Sequence, residues 1–163
     1  MIELRKVTWA NMDDVVALKV KKEQDEFVAP NDFSLAEAYL LVTEFNKLPL
    51  TLAIYAYDTL IGFIMVFTEL AANNPSCKYY GDKKYYKIWR FMIDEKYQGK
   101  GYGKQAMVKL VELIRTRSPL GQADAIYLSY EPTNEAARKL YTSVGFLETG
   151  YFNPWQVARL GLK

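Results

Sequence analysis

Apolar residues recur along this chain at two spacings, and the switches between them outline an alternation of strands and helices. Residues 2–7 alternate as a strand does, and Asn11 followed by Asp13 and Asp14 offers a helix start with acids in its first turn. Met12, Val15, Val16 and Val20 supply that helix with an apolar face. Ser34-Leu35-Ala36-Glu37 has the spacing of a capping box and predicts a second helix, running to about Lys47 and stopped ahead of Pro49. Residues 51–57 and 60–69, separated by Asp58-Thr59, predict a hairpin. A polar loop over 71–84 then leads into a buried central strand over 85–94. Met107, Leu110, Val111 and Ile114 fall at i, i+3, i+4 and i+7, which predicts a helix over 103–117 that ends ahead of Pro119 and Gly121. A strand over 125–130, a helix over 133–143 and closing strands over 146–152 and 155–162 complete the chain, with no internal repeat.

Between the central strand and the helix after it stands Tyr97-Gln98-Gly99-Lys100-Gly101-Tyr102-Gly103-Lys104. Glycines at alternate positions let the backbone turn tightly and bring successive N–H groups to an anion, and the following helix adds the positive end of its dipole. The stretch therefore reads as a phosphate cradle. It is not a magnesium-dependent P-loop, because Lys100 is followed by Gly101 and Lys104 by Gln105 where Ser or Thr would hold the ion. A dinucleotide fingerprint also fails, since Lys104 occupies the place of its third glycine. Strand, cradle, helix, strand and helix form a βαβα unit with the anion site at the carboxyl end of its first strand, where open α/β sheets bind ligands.

Composition narrows the chemistry. The 163 residues, half of them hydrophobic, are enough for one domain over 1–163 with a sizeable core. Histidine is absent and Cys77 is the only cysteine, so a metal site is not expected and acid–base work falls to Glu, Asp, Tyr, Lys or water. Charges in the first six residues and an apolar run of only 60–67 predict neither a signal peptide nor a membrane span, and a lone cysteine suits a reducing cytoplasm. A net charge of +2 gives no field for nucleic acid, and the basic, tyrosine-rich residues 78–87 read as a loop entering a strand.

Asn134 and Tyr141, seven residues apart, lie two turns apart on one helix face, so an amide and a phenol point the same way. With these residues in view the chain resembles the GCN5-related N-acetyltransferase family. Gln98-Gly99-Lys100-Gly101-Tyr102-Gly103 matches the family's acyl-CoA signature, and the segment from Asn134 to Phe146 matches its second signature. Within the family it resembles bacterial diamine and spermine/spermidine acetyltransferases. That narrower similarity rests on Trp89-Arg90-Phe91-Met92-Ile93-Asp94, on Tyr127-Leu128-Ser129-Tyr130-Glu131-Pro132 and on Phe27-Val28-Ala29-Pro30-Asn31. The chain departs from it at Trp89, where members of the subfamily can carry Asp.

The resemblance implies an α/β (α+β) fold. It would be a central mixed, mostly antiparallel sheet of about six to seven strands with about four helices, acting as an acetyl-CoA-dependent N-acetyltransferase and frequently a homodimer. It implies that Gln98, Gly99, Lys100, Gly101, Tyr102, Gly103 and Lys104 hold the CoA pyrophosphate, that Phe91, Met92 and Ile93 grip the pantetheine arm, and that Asn134 contacts the cofactor. Asn134 reads equally as a helix cap. By the same analogy Tyr141 protonates the departing thiolate. A primary amine titrates near 10, so presenting it neutral at pH 7 costs roughly 4 kcal/mol and requires a base; Glu131 is the candidate, with Tyr130 and a water relay behind it. Glu23, Glu26 and Asp32 are expected to line a cationic-amine pocket, with Trp89 or Trp155 as a cation–π face. Polyamine, aminoglycoside, protein N-terminus and small amino compound remain open as acceptors, and a non-catalytic acyl-CoA sensor remains the rival reading.

Overall fold

The computed structural model describes residues 1–73 and 80–163, so Cys77 and the first residues of the 78–87 cluster lie outside it. Seven strands, β1 (Ile2–Lys6), β2 (Leu50–Ala56), β3 (Thr59–Leu70), β4 (Lys84–Ile93), β5 (Ala125–Tyr130), β6 (Leu147–Phe152) and β7 (Trp155–Gly161), form one sheet in the order β1-β2-β3-β4-β5-β7-β6. Every neighbouring pair is antiparallel except β4 and β5, which run parallel. Helices α1 (Met12–Ala17) and α2 (Asn31–Thr43) precede the hairpin, α3 (Tyr102–Arg117) joins β4 to β5, and α4 (Glu135–Val144) follows β5. The expected mixed sheet with four helices is the architecture found.

Alternation along the strands divides the core in two. On one face Ile54, Ile64 and Tyr86 pack against Met107, Leu110 and Ile114 of α3, with Ala137 and Tyr141 of α4 at its edge. On the other, Ala53, Phe63, Met65 and Met92 pack against Val15 of α1 and Ala38 of α2.

Element ends differ from expectation where a local bond decides them. Ser34 is not a cap: α2 begins at Asn31 after Pro30, and Ser34 is buried with its hydroxyl donating to the Pro30 carbonyl. The helix stops at Thr43 because Asn46 takes a left-handed conformation (φ 51°), which lets the Lys47 N–H reach back to the Leu41 carbonyl. Asn11 precedes α1 without capping it; its side chain accepts from the Thr8 N–H and donates to the Lys6 carbonyl. α1 ends at Ala17, so Val20 leaves the helical face, and Val16 is exposed. Asp94 falls beyond β4, where its buried carboxylate accepts from the Lys19 and Lys96 N–H groups and fastens the connection after α1 to the turn after β4.

Candidate active site

The parallel pairing of β4 with β5 covers only Tyr85–Lys87 against Ala125–Tyr127, and then stops. Two features part the strands. The β3–β4 register passes from Val66↔Ile88 to Met65↔Arg90, leaving Trp89 as an extra residue in a bulge that bends β4. β5, meanwhile, stays paired with β7 through Tyr130. Residues 88–93 thus present an edge to β5 with no strand against it, and a cavity of about 680 Å³ follows the opening. An extended acyl-carrying arm fits such an edge, because unpaired backbone groups there can bind its amides and a thioester carbonyl.

The glycine turn closes one end of the cavity, with Gly99, Gly101, Tyr102 and Gly103 in its wall. Gly99 and Gly101 have φ of 75° and 77°, and Gly101 immediately precedes α3 without any side-chain cap on that helix. The first N–H groups of α3 therefore face the turn free of a capping side chain, as an anion site requires. Gly103 is different: a methyl group there would sit 3.6 Å from Leu140, in ordinary contact. Only the first two glycines are demanded by backbone geometry. Gln98 braces the turn, its amide donating at 2.8 Å to both the Ile93 carbonyl and Gln24. Lys100 and Lys104 do not line the cavity; Lys100 donates to the Lys96 carbonyl and lies over the Tyr97 ring. Substituting both Gly99 and Gly101 by Ala is expected to strain the turn by about 1–2 kcal/mol per site and to weaken CoA binding by about tenfold or more, measurable by calorimetry.

Phe91, Met92 and Ile93 form the β4 wall, and Tyr141 stands opposite on α4. Its ring lies 5.6 Å from Tyr130, 6.0 Å from Phe146 and 6.5 Å from Phe91, centroid to centroid. Burial pushes the Tyr141 hydroxyl well above the ordinary tyrosine value, so it stays protonated, and it has no hydrogen-bond partner among the described residues. Tyr130 is committed elsewhere: its hydroxyl donates at 2.6 Å to Glu148, which also binds Arg138, and burial first, then this carboxylate, push it up to about 12. That bond commits the Tyr130 proton to Glu148 and leaves its oxygen able to accept a hydrogen bond. Glu131 lines the cavity at the end of β5, and the capping role belongs to Asn134, whose Oδ1 accepts from the Ala137 N–H at 3.0 Å. Asn134 also lines the cavity.

The expected acidic pocket is only partly assembled. Glu26, Trp89 and Trp155 line the cavity; Glu23 does not. Asp32 lines a second cavity, separated from the first by Val28, Ala29 and Met92. Trp89 donates its indole N–H to Glu37 at 3.2 Å, and the same carboxylate oxygen takes Arg90 at 2.5 Å, tying α2 to the bulge. Glu37, Arg90 and Lys87 were not among the expected site residues. The signal was present, since two cations inside an otherwise aromatic and apolar central strand need partners or a cavity. Among the described residues no group of three or more His, Cys, Asp or Glu could hold a metal ion, and no helix is long and apolar enough to cross a membrane.

The sequence family described as acetyltransferase (GNAT) matches residues 16–146. The chain belongs to the GNAT family. It is an N-acetyltransferase that uses acetyl-CoA as its donor. A curated relative, the spermine/spermidine N(1)-acetyltransferase of Bacillus subtilis strain 168, is 30% identical over 153 residues, spanning 91% of this chain and 90% of that protein. The GNAT fold is shared with spermidine N-acetyltransferase from Vibrio cholerae in complex with CoA and spermine, at a TM-score of 0.67 and 19% identity over 99% of this chain and 95% of that one. It is shared also with an aminoglycoside acetyltransferase in complex with coenzyme A and kanamycin, at a TM-score of 0.73 and 16% identity over 99% and 95% of the two chains.

Proposed function

We propose that the acceptor is a diamine or polyamine such as spermidine, acetylated on a primary amine by direct attack on acetyl-CoA in the opening between β4 and β5. The observation that carries this reading is one continuous cavity. Its lining includes the glycine turn, Tyr141, the carboxylates Glu26 and Glu131 and the rings of Trp89 and Trp155. Carboxylates and aromatic faces together favour an ammonium-bearing chain. The turn holds the pyrophosphate, the free edge of 88–93 aligns the arm and polarises the thioester, Glu131 accepts the amine's proton, and Tyr141 donates one to the departing thiolate. The similarity to the Bacillus subtilis enzyme supports the same acceptor class. The reading also takes the enzyme as a cytoplasmic homodimer, the exposed Leu147 and Tyr151 of edge strand β6 being suited to cover by a second copy.

An amine panel with acetyl-CoA, followed by release of free thiol, tests this. Diamines and spermidine are expected to exceed neutral or acidic primary amines in kcat/KM by about tenfold or more. Preference for neutral or acidic acceptors overturns the polyamine assignment. CoA binding with no turnover on any amine favours a sensor module, a reading that the free hydroxyl of Tyr141 opposes.

A further inference from the structure

Lys87 is a cation in a cavity expected to bind cations. It lines the cavity from the opposite face of β4 to Phe91 and Ile93, the face it shares with Arg90 and Met92, and at the other end of β4 from the glycine turn; five residues, one of them the bulge, lie between it and Ile93, about 17 Å at 3.3 Å per residue of the facing β3. The donor enters from the turn, so the Lys87 end belongs to the acceptor. The Lys87 ammonium lies 5.0 Å from the ring centre of Tyr80 and 5.1 Å from that of Trp89, and donates at 3.2 Å to the Tyr80 hydroxyl. Two aromatic faces and a phenol oxygen form a box of the kind that binds ammonium ligands. The box is rigid. Tyr80 is buried and stacks on Tyr85 at 5.0 Å, and the neighbouring Gly81 and Asp82 are fastened to Tyr127 and Arg159.

The nearby carboxylates are already engaged. Glu69 on β3 pairs with Lys47, and Glu37 on α2 holds Arg90 and Trp89. Burial pulls the Lys87 ammonium below the ordinary lysine value, opposed by Glu69 and reinforced by Lys47. A substrate ammonium arriving here meets Lys87 and Arg90 with no free carboxylate among these partners to receive it.

We propose that Lys87 sets acceptor length: its own ammonium occupies the aromatic box at the far end of the acceptor arm, so the enzyme favours short diamines over long polyamines whose distal ammonium would need that box. The inference rests on the diamine or polyamine reading and sharpens it. Lys87 is a specificity-determining residue, and Lys87→Met removes the ammonium from between Tyr80 and Trp89 while keeping a chain of similar length and leaving Arg90 over the Trp89 ring at 5.1 Å.

Two measurements on the full chain test it. In steady-state kinetics the ratio of kcat/KM for spermine to that for 1,3-diaminopropane is expected to rise about tenfold in Lys87→Met and in Lys87→Gln, chiefly through the KM for spermine, and to stay near wild type in Lys87→Arg. In calorimetry on the CoA complex, spermine affinity relative to the diamine is expected to rise by a similar factor. Ratios unchanged within about twofold in both uncharged variants, or a rise of the same size in Lys87→Arg, overturn the role of Lys87 while the acceptor reading stands. Conversely, selective tightening of spermine binding without turnover of any amine upholds Lys87 and overturns the acceptor reading.

Discussion

Tyr141→Phe is expected to lower kcat about 100-fold while leaving CoA affinity within about twofold, as read by steady-state kinetics and by calorimetry. The split follows from what the side chain touches. Its ring contributes packing against Phe91, Tyr130 and Phe146, and phenylalanine keeps that packing. Only the hydroxyl is lost, and with no hydrogen-bond partner among the described residues its removal leaves no orphaned group in the protein. The pH dependence separates this role from mere packing. Burial holds the hydroxyl protonated well above the ordinary tyrosine value, so its ionisation produces no alkaline loss of kcat up to about pH 10. Over the same range kcat/KM rises as more of the amine becomes neutral. Equal kcat in the variant and wild type would exclude Tyr141 from the chemistry.

Much of this site was legible because it is local in the chain. The glycine turn and the Asn134–Tyr141 face each lie within a single strand–turn–helix connection or a single helix, where spacing dictates direction. What the sequence does not display is the parting of β4 from β5, which depends on a bulge counted against β3 and on β7 arriving from the far end of the chain. The same holds for Glu37 and Arg90, 53 residues apart and joined only after α2 packs on the sheet. Tyr130 illustrates the limit of local reasoning: its place beside Glu131 is plain in the sequence, whereas its hydrogen bond to Glu148, 18 residues on in the following hairpin, forms only in the folded sheet. Helix ends erred for a different reason. Proline signals placed the end of α2 near Pro49, yet a left-handed Asn46 terminates it earlier, a C-terminal signal that the proline outweighed in the sequence reading.

The largest effect on stability is expected at a glycine outside the turn. Gly62 is buried in β3, paired with Ile54 on β2 and Ile93 on β4. A methyl group there would lie 2.4 Å from the Met92 carbonyl oxygen, 2.9 Å from Cδ1 of Ile54 and 3.0 Å from Cδ1 of Ile93. The first contact is with backbone, so no rotamer change relieves it, and β3 and β4 must separate at the very residues that form the cavity wall. Gly62→Ala should therefore cost about 3 kcal/mol or more, lowering Tm by roughly 10 °C, and should weaken CoA binding because Met92 and Ile93 move with β4. Gly81→Ala provides the contrast: a methyl group there meets nothing within 4 Å, and its Tm should stay within about 1 °C of wild type. The same loss in both variants would point to general intolerance of alanine rather than to the β3–β4 approach. An unchanged Tm in Gly62→Ala would mean that the two strands can part without cost at the residues of the β4 wall.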